Sequence, residues 1–438
     1  MKHLLKWSLI VLVVLLVLLA GGAWGLQRWI GTDDFRHRME QQASAALGLG
    51  LTLGRIDVAL WPLPALVLSD VALQTRPAVT IERLEVRPVW ADLLQGRMAP
   101  ATFILRRVVL PQAGLDEVMA LLQKKKQETP ETKEPETPAT KTALTRFLPR
   151  HTELDNLSWV DTKGIGLTVS AQADLSPDGL PQAMQMKILK GRLQGAQLQV
   201  QREAMDMAWT VALGVGGGSI KGRLAFKSVA ESGAALAFNG QLSIKDVEVS
   251  ALLAPAASEQ MGKQAKSSPL SGRLEATTSV SGQGQSLGRL ADGLHTQTQF
   301  TVHQAVLHGI DLAKAVKTVG MSRGGQTALD TLAGQVITQG KAVQLNNLVA
   351  SSGVLSTTGH VAISPTQALN GRISVELGGA LGVPLALSGT VHDPEVTLSR
   401  GALIGAAVGT VLAPGVGTGA GASLGDKASE GLKKLFGK

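Results

Sequence analysis

The sequence predicts a mainly β protein: an N-terminal transmembrane helix, then a long series of mostly antiparallel strands with a few short helices. Three observations carry this. Residues 7–26 form an apolar run without a formal charge. From Leu144 to Arg400 apolar and polar residues alternate in segment after segment. Glycine is frequent, at 50 of 438 residues, and punctuates those segments as turns do.

The anchor comes first. At about 1.5 Å per residue, Trp7 to Leu26 spans about 30 Å, the thickness of a bilayer's hydrocarbon core. Trp7 and Trp24 lie near its ends, where indoles favour the interface. Lys2, Lys6 and the small residues Ala20-Gly21-Gly22-Ala23 would also suit a cleaved signal peptide. The length of the run, continuing to Leu26, favours an anchor that stays, with residues 1–27 as tail and anchor. Arg28, Arg36 and Arg38 nearly balance Lys2 and Lys6, so the positive-inside count is close to even. A short N-terminal tail commonly stays in the cytoplasm, which places the bulk of the chain outside it.

Residues 28–123 read as a mixed unit. Thr32 can cap a helix whose first turn holds Asp33 and Asp34 and whose stripe is Phe35, Met39, Ala43 and Leu47, with Gly48 as the stop. Strand-like pieces follow at 49–58, 66–73, 79–86 and 102–110, and short helical candidates at 92–95 and 115–123. Residues 124–143 differ in kind. The string KKKQETPETKEPETPATK has no buried-face pattern and predicts a disordered linker.

Residues 144–400 are the strand region. Ile220, Gly222, Leu224 and Phe226 alternate with Ser219, Lys221, Arg223 and Ala225; Leu236, Phe238, Leu242 and Ile244 alternate with polar residues in the same way. Thr298, Phe300 and Val302, and then Ile373, Val375 and Leu377, repeat the pattern. Gly-Arg-Leu or Gly-Arg-Ile recurs at 191, 222, 272, 288 and 371 without a fixed period, as strands entered through similar turns. Short helices are expected at 251–264 and 311–319. Residues 401–438 hold Gly401, Gly405 and Gly409 at small-xxx-small spacing, then a terminal amphipathic helix. Its Lys433, Lys434 and Lys438 suit an anionic lipid surface, or simply solvent.

Period-two patterning gives each strand one apolar face, and an apolar face must be buried. Two short helices cannot cover so many strands. Either the sheet closes on itself or a foreign apolar molecule fills it. The candidate lining is Leu224, Phe226, Leu236, Phe238, Leu242, Phe300, Val302, Val375 and Leu377. With 3% aromatic residues and no Tyr, such a wall is largely aliphatic.

Composition narrows the rest. There is no cysteine, which excludes disulfides, thiol nucleophiles and cysteine metal sites. The charge of +8 lacks the aromatic interleaving or basic helix of a nucleic-acid reader, so no nucleic-acid partner is expected. Gly340-Lys341 lacks the rest of a phosphate loop. Ser286 and Ser423 sit in G-x-S-x-G strings without the strand-to-helix context of a nucleophile elbow. His303 and His308, five apart on a strand, are expected on opposite faces and share no ion. No catalytic residue, cofactor or metal site is expected.

Short motifs then give a resemblance. They include Asp34-Phe35, Trp61-Pro62, Leu68-Ser69-Asp70-Val71-Ala72-Leu73, Leu93-Leu94-Gln95-Gly96, Gly309-Ile310-Asp311-Leu312, Gly325-Gln326-Thr327, Leu332-Ala333-Gly334, Pro384-Leu385 and Leu435-Phe436-Gly437-Lys438. In these the chain resembles the AsmA family of Gram-negative envelope proteins, related in form to chorein-type bridge proteins. The resemblance implies an elongated, curved β-sheet groove anchored in the inner membrane, with most of the chain in the periplasm. It implies phospholipids as ligands, transport between inner and outer membrane, and an outer-membrane or periplasmic protein partner. The alternative is a non-enzymatic assembly factor or scaffold for outer-membrane proteins.

Overall fold

The computed structural model describes residues 32–59, 65–89, 100–128, 149–162, 164–204, 207–227, 236–253, 268–284, 293–318, 324–379, 382–399 and 401. The expected anchor at 7–26, the tail with Lys433, Lys434 and Lys438, and both G-x-S-x-G serines lie outside these residues. Among the described residues no helix is long and apolar enough to cross a membrane. The chain is mainly β and divides into two compact units, with the boundary between Gly195 and Ala196. The strand region expected from 144 to 400 is therefore shared between the two.

The first unit opens with helix α1 (Asp33–Leu47). Thr32 is its N-cap, accepting from the Phe35 N–H, and Gly48 ends it in the left-handed conformation at φ 73°. Phe35 and Met39 turn the helix onto Leu53, Ile56 and Val71. The polar side of the contact is held too. Glu40 accepts the Leu53 N–H at 2.7 Å, Ser44 accepts the Leu51 N–H at 2.9 Å, and Arg36 donates to the Gly54 carbonyl at 3.1 Å.

Strands β1 (Leu51–Thr52), β2 (Arg55–Ala59), β3 (Ala65–Leu73), β4 (Val79–Pro88) and β5 (Pro100–Pro111) pair antiparallel, β1 and β2 both on β3. Helix α2 (Gln112–Glu128) follows, so residues 124–128 of the expected linker are helical. The chain returns as β6 (His151–Val160), parallel to β5. β7 (Gly166–Leu175) and β8 (Pro181–Lys190) complete the ladder. A parallel neighbour needs a long crossover, and α2 with the following segment supplies it.

The second unit contains β9 (Gln197–Arg202), β10 (Ala208–Val215), β11 (Gly218–Lys227), β12 (Leu236–Glu248), helix α3 (Val249–Leu253), β13 (Leu270–Gly284), β14 (His295–His308) and helix α4 (Leu312–Lys317). It continues with β15 (Gln326–Gln339), β16 (Ala342–Ser352), β17 (Leu355–Ile363), β18 (Leu369–Leu377), β19 (Val383–Thr390) and β20 (Asp393–Leu398). Each strand pairs antiparallel with the next in sequence from β9 to β20. Among the described residues no pairing joins β9 to β20, so the sheet is open.

Six strands are interrupted by a left-handed residue: Asp70 (φ 53°), Arg107 (49°), Asn156 (56°), Asp246 (53°), Gln304 (51°) and Asn347 (52°). Such irregularities bend a strand and restart its alternation. The residue after each is apolar: Val71, Val108, Leu157, Val247, Ala305 and Leu348. Val71, Val108, Val247 and Ala305 are buried. In the second unit this bend gathers a core in which Ala305, Leu329, Ala350, Leu355, Val375 and Leu385 pack with Leu312 and Ala315 of α4 and Val249 of α3.

Two of the resemblance motifs meet there. Asp311 caps α4 by accepting the Lys314 N–H at 2.8 Å. The buried Thr327 hydroxyl accepts from the Leu312 N–H at 2.9 Å and donates to the Ile310 carbonyl at 2.8 Å. The Gly309 N–H donates to the Gly325 carbonyl at 2.8 Å. At α3, burial raises the Glu248 carboxyl, but hydrogen bonds from the Gly272 N–H and from Ser250 outweigh it and leave its pKa lowered.

Glu40 gives the first prediction. The Leu53 N–H, ahead of the opposing effect of burial, holds its carboxyl below the ordinary value. A lowered folded pKa stabilises above the ordinary carboxylate range, and that contribution is lost as pH falls through the folded value. Glu40→Gln is expected to destabilise the first unit by about 1 kcal/mol at neutral pH, the difference between a charged and a neutral acceptor. Urea unfolding should show this gap close on acidification below about pH 4.

Candidate functional site

Register decides which side chains share a face. Across β10 to β15, Leu213, Ile220, Ile244, Ala276, Phe300 and Gly334 stand opposite one another in one row. Beside it run Val211, Gly222, Leu242 and Thr278, then Trp209, Leu224, Gly240 and Val280, then Phe226, Phe238 and Gly282. The opposite face carries Lys221, Arg223, Asn239, Gln241, Lys245, Gln297 and Gln299, all exposed. The two faces are therefore chemically separate.

Among the described elements no layer lies over the apolar rows on β11 and β12. Ile220, Leu224, Phe226, Phe238, Leu242 and Ile244 are half-buried, sheltered by their neighbours along the sheet. Among the described elements, the strong contacts of β10 to β12 are with adjacent strands, and of β12 also with α3 at its far end.

Glycine keeps this surface low. A Cβ on Gly282 would lie 2.4 Å from the Phe238 ring, and one on Gly240 would lie 2.5 Å from Leu224 Cδ2. Each large side chain thus lies flat over the glycine opposite it. The recurring Gly-Arg-Leu string places its glycine in such a row at 222, opposite Leu242, and at 371, opposite Leu387 on one side and Val361 on the other.

The nine sequence candidates are not one group. Leu224 and Phe226 of β11 and Phe238 and Leu242 of β12 lie together on the uncovered face, and Leu236 opens β12 opposite Gly284. Phe300 lies at the border, packing against the core. Val302 and Val375, 1% and 0% exposed, are inside that core, and Leu377 packs on it. Val302 and Val375 are closed off by the chain's own residues, and Leu377 is half-buried at the edge of that core. The bend at the left-handed positions separates the groups, and strand periodicity does not announce it.

Sequence reasoning missed a second apolar row, in the other unit. In the first unit Leu68, Leu84, Leu105, Leu154, Ala171 and Met186 form a row across β3 to β8, and all are half-buried. The signal was present in the alternation of 66–73 and 102–110. Trp209, opposite Leu224 and itself buried, was missed because β10 alternates less cleanly.

The histidines differ from expectation. Gln304, left-handed between them, shifts the alternation, so the odd spacing no longer sends the rings to opposite faces. His303 is exposed, with Nε2 4.0 Å from Glu275, and His308 Nε2 lies 3.3 Å from the Ser271 hydroxyl. Among the described residues no three potential ligands gather for a metal ion.

Comparison with protein-family models, with curated proteins and with solved structures finds no match to this chain.

The division into core and uncovered floor has a measurable consequence. Val375→Ala is expected to cost about 2 kcal/mol, two methyl groups plus a cavity. Gln241→Ala, on the polar face, should stay within about 0.5 kcal/mol. Denaturant unfolding of the two variants checks both values.

Proposed function

We propose that this chain is a membrane-anchored periplasmic lipid-binding protein of the AsmA type, contributing to phospholipid movement between inner and outer membrane and so to outer-membrane homeostasis. The carrying observation is the apolar face of β11 and β12, aliphatic and aromatic, free of charge and without a covering layer among the described elements. Acyl chains have the chemistry to cover it. Each CH₂ moved from water onto such a surface contributes about 0.8 kcal/mol, with no need for a specific partner group. The first unit, taken by itself, also has an apolar half-buried row, from Leu84 to Met186, while Leu68 at its start packs on the core under α1.

On this reading residues 7–26 hold the chain in the inner membrane and no bond chemistry is required. The lining is Leu224, Phe226, Phe238 and Leu242, with Ile220 and Ile244 beside them. Val302 and Val375 serve the core instead.

The test is mass spectrometry of lipids that co-purify with residues 28–438 produced without the anchor. Phospholipid is expected. Phe238→Asp, which puts a charge on the floor, should lower the bound lipid about tenfold or more, since burying an unpaired charge costs well over 1.4 kcal/mol. Asn239→Asp, one residue along and on the exposed polar face, should leave it unchanged. A monodisperse, lipid-free preparation would contradict the reading, and a stable protein partner on that preparation would favour the scaffold alternative.

A further inference from the structure

The polar face of the second unit has an unusual composition. A face left to water is commonly dressed in Lys and Glu. Here Glu275 is the only formally charged residue on that face from Glu275 to Gln283 of β13, from His295 to Thr301 of β14 and from Ala333 to Gln339 of β15. Amides and hydroxyls take most of the other places. Gln299 stands directly opposite Thr277 on one side and Gln335 on the other, and Gln297 stands opposite Ser279.

The face is also recessed. A cavity of about 780 Å³ opens on it, lined by Ser243, Lys245, Thr277, Gln299, Thr301 and Gln335. Two more, of about 520 and 530 Å³, follow along β12 and β13, past Gln241 and Ser279 and then past Asn239 and Ser281. End to end they follow β12 from Lys245 to Ala237, about 26 Å of strand. Among the described residues, the side chains of Asn239, Gln241, Thr277, Gln299 and Gln335 form no hydrogen bond within the protein. On the other face the Thr278 and Thr298 hydroxyls, 3.0 Å apart, satisfy each other.

We propose that this trough is a binding site for a linear, uncharged oligosaccharide of diequatorially linked pyranoses, laid along β12 to β15. It concerns the face opposite the apolar rows and is independent of the lipid-binding reading. A sugar hydroxyl both donates and accepts, and so does a primary amide, so the unused amides and hydroxyls match a run of sugar hydroxyls. A phosphate polymer fits less well: Arg223 is engaged by Glu203 at 2.7 Å, and Glu275 lines the recess. A peptide strand adds to a sheet edge, and β12 to β15 are internal strands. Diequatorial linkage gives a straight ribbon, as a trough that follows the strands requires. By register the rings of Phe238 and Phe300 belong to the other face, so sugar stacking contributes nothing. A handful of hydrogen bonds alone gives a Kd of about 1 mM.

The experiment is saturation-transfer difference NMR on the full chain in nanodiscs. Cellohexaose and chitohexaose are the straight probes, and maltohexaose is the curled counterpart. Saturation is expected to reach at least one straight probe and to reach maltohexaose less. Gln299→Ala combined with Gln335→Ala should weaken binding of that probe about tenfold, the loss of two hydrogen bonds. Gln344→Ala, exposed on the same face of β16 but outside the recesses, should leave it unchanged. Should the double variant not fold, Thr277→Ala takes its place, with about threefold weakening expected. No transfer to either straight probe overturns the proposal, as does transfer to maltohexaose that equals or exceeds theirs. Affinity that survives in the folded recess variant, or falls equally in Gln344→Ala, overturns the placement of the site.

Discussion

One constraint organises this molecule: strands with period-two sequences make a surface that is apolar on one side only, and a single layer has nothing of its own to lay against it. Lys221, Arg223 and Lys245 can face water while Ile220, Leu224 and Ile244 cannot do so freely. The chain answers in two ways. Around the left-handed residues Asp246, Gln304 and Asn347 the strands bend, and with α3 and α4 they enclose Val302, Leu312, Val375 and Leu385. Farther along β11 and β12 no described element covers the same side. There, glycines let the larger side chains lie flat, as Phe238 does over Gly282 and Leu224 over Gly240. A closed core and an open floor are thus parts of one face, divided by backbone conformation.

The motifs behind the family resemblance have local physical work in this fold. Gly309 to Leu312 and Gly325 to Thr327 are one junction, tied by the Thr327 hydroxyl and a backbone bond, and together they seat α4 on the core. The string at 68–73 includes Asp70, one of the left-handed residues that bend the strands. Architecture alone accounts for such positions. They are silent on the ligand; the lipid proposal rests on the apolar face of β11 and β12 that no described element covers.

Much of the local structure was legible. Thr32, the acidic first turn and Gly48 bound α1 at the expected positions, and Asp311 caps the expected short helix. The strands of the first unit fall within a few residues of the apolar alternation. The rest depends on information that period two does not carry. A left-handed Asp, Gln or Asn looks like any polar strand residue, yet it restarts the alternation and moves Ala305 or Val247 inside. The parallel pairing of β5 with β6 is set by a crossover, and α2 was read short because its lysines resemble the start of the linker. Most consequentially, Phe238 and Val375 look alike in sequence, and only the register and the helices that follow assign one to the floor and the other to the core.

The most direct measurement of the central claim is methyl NMR on the full chain in nanodiscs, with Ile, Leu and Val methyl groups labelled and lipid acyl chains protonated. The account predicts cross-relaxation from acyl protons to the methyls of Ile220, Leu224 and Leu242, and none to Val302 or Val375. Methyls of β11 and β12 that report instead only on other side chains of the same polypeptide would contradict it.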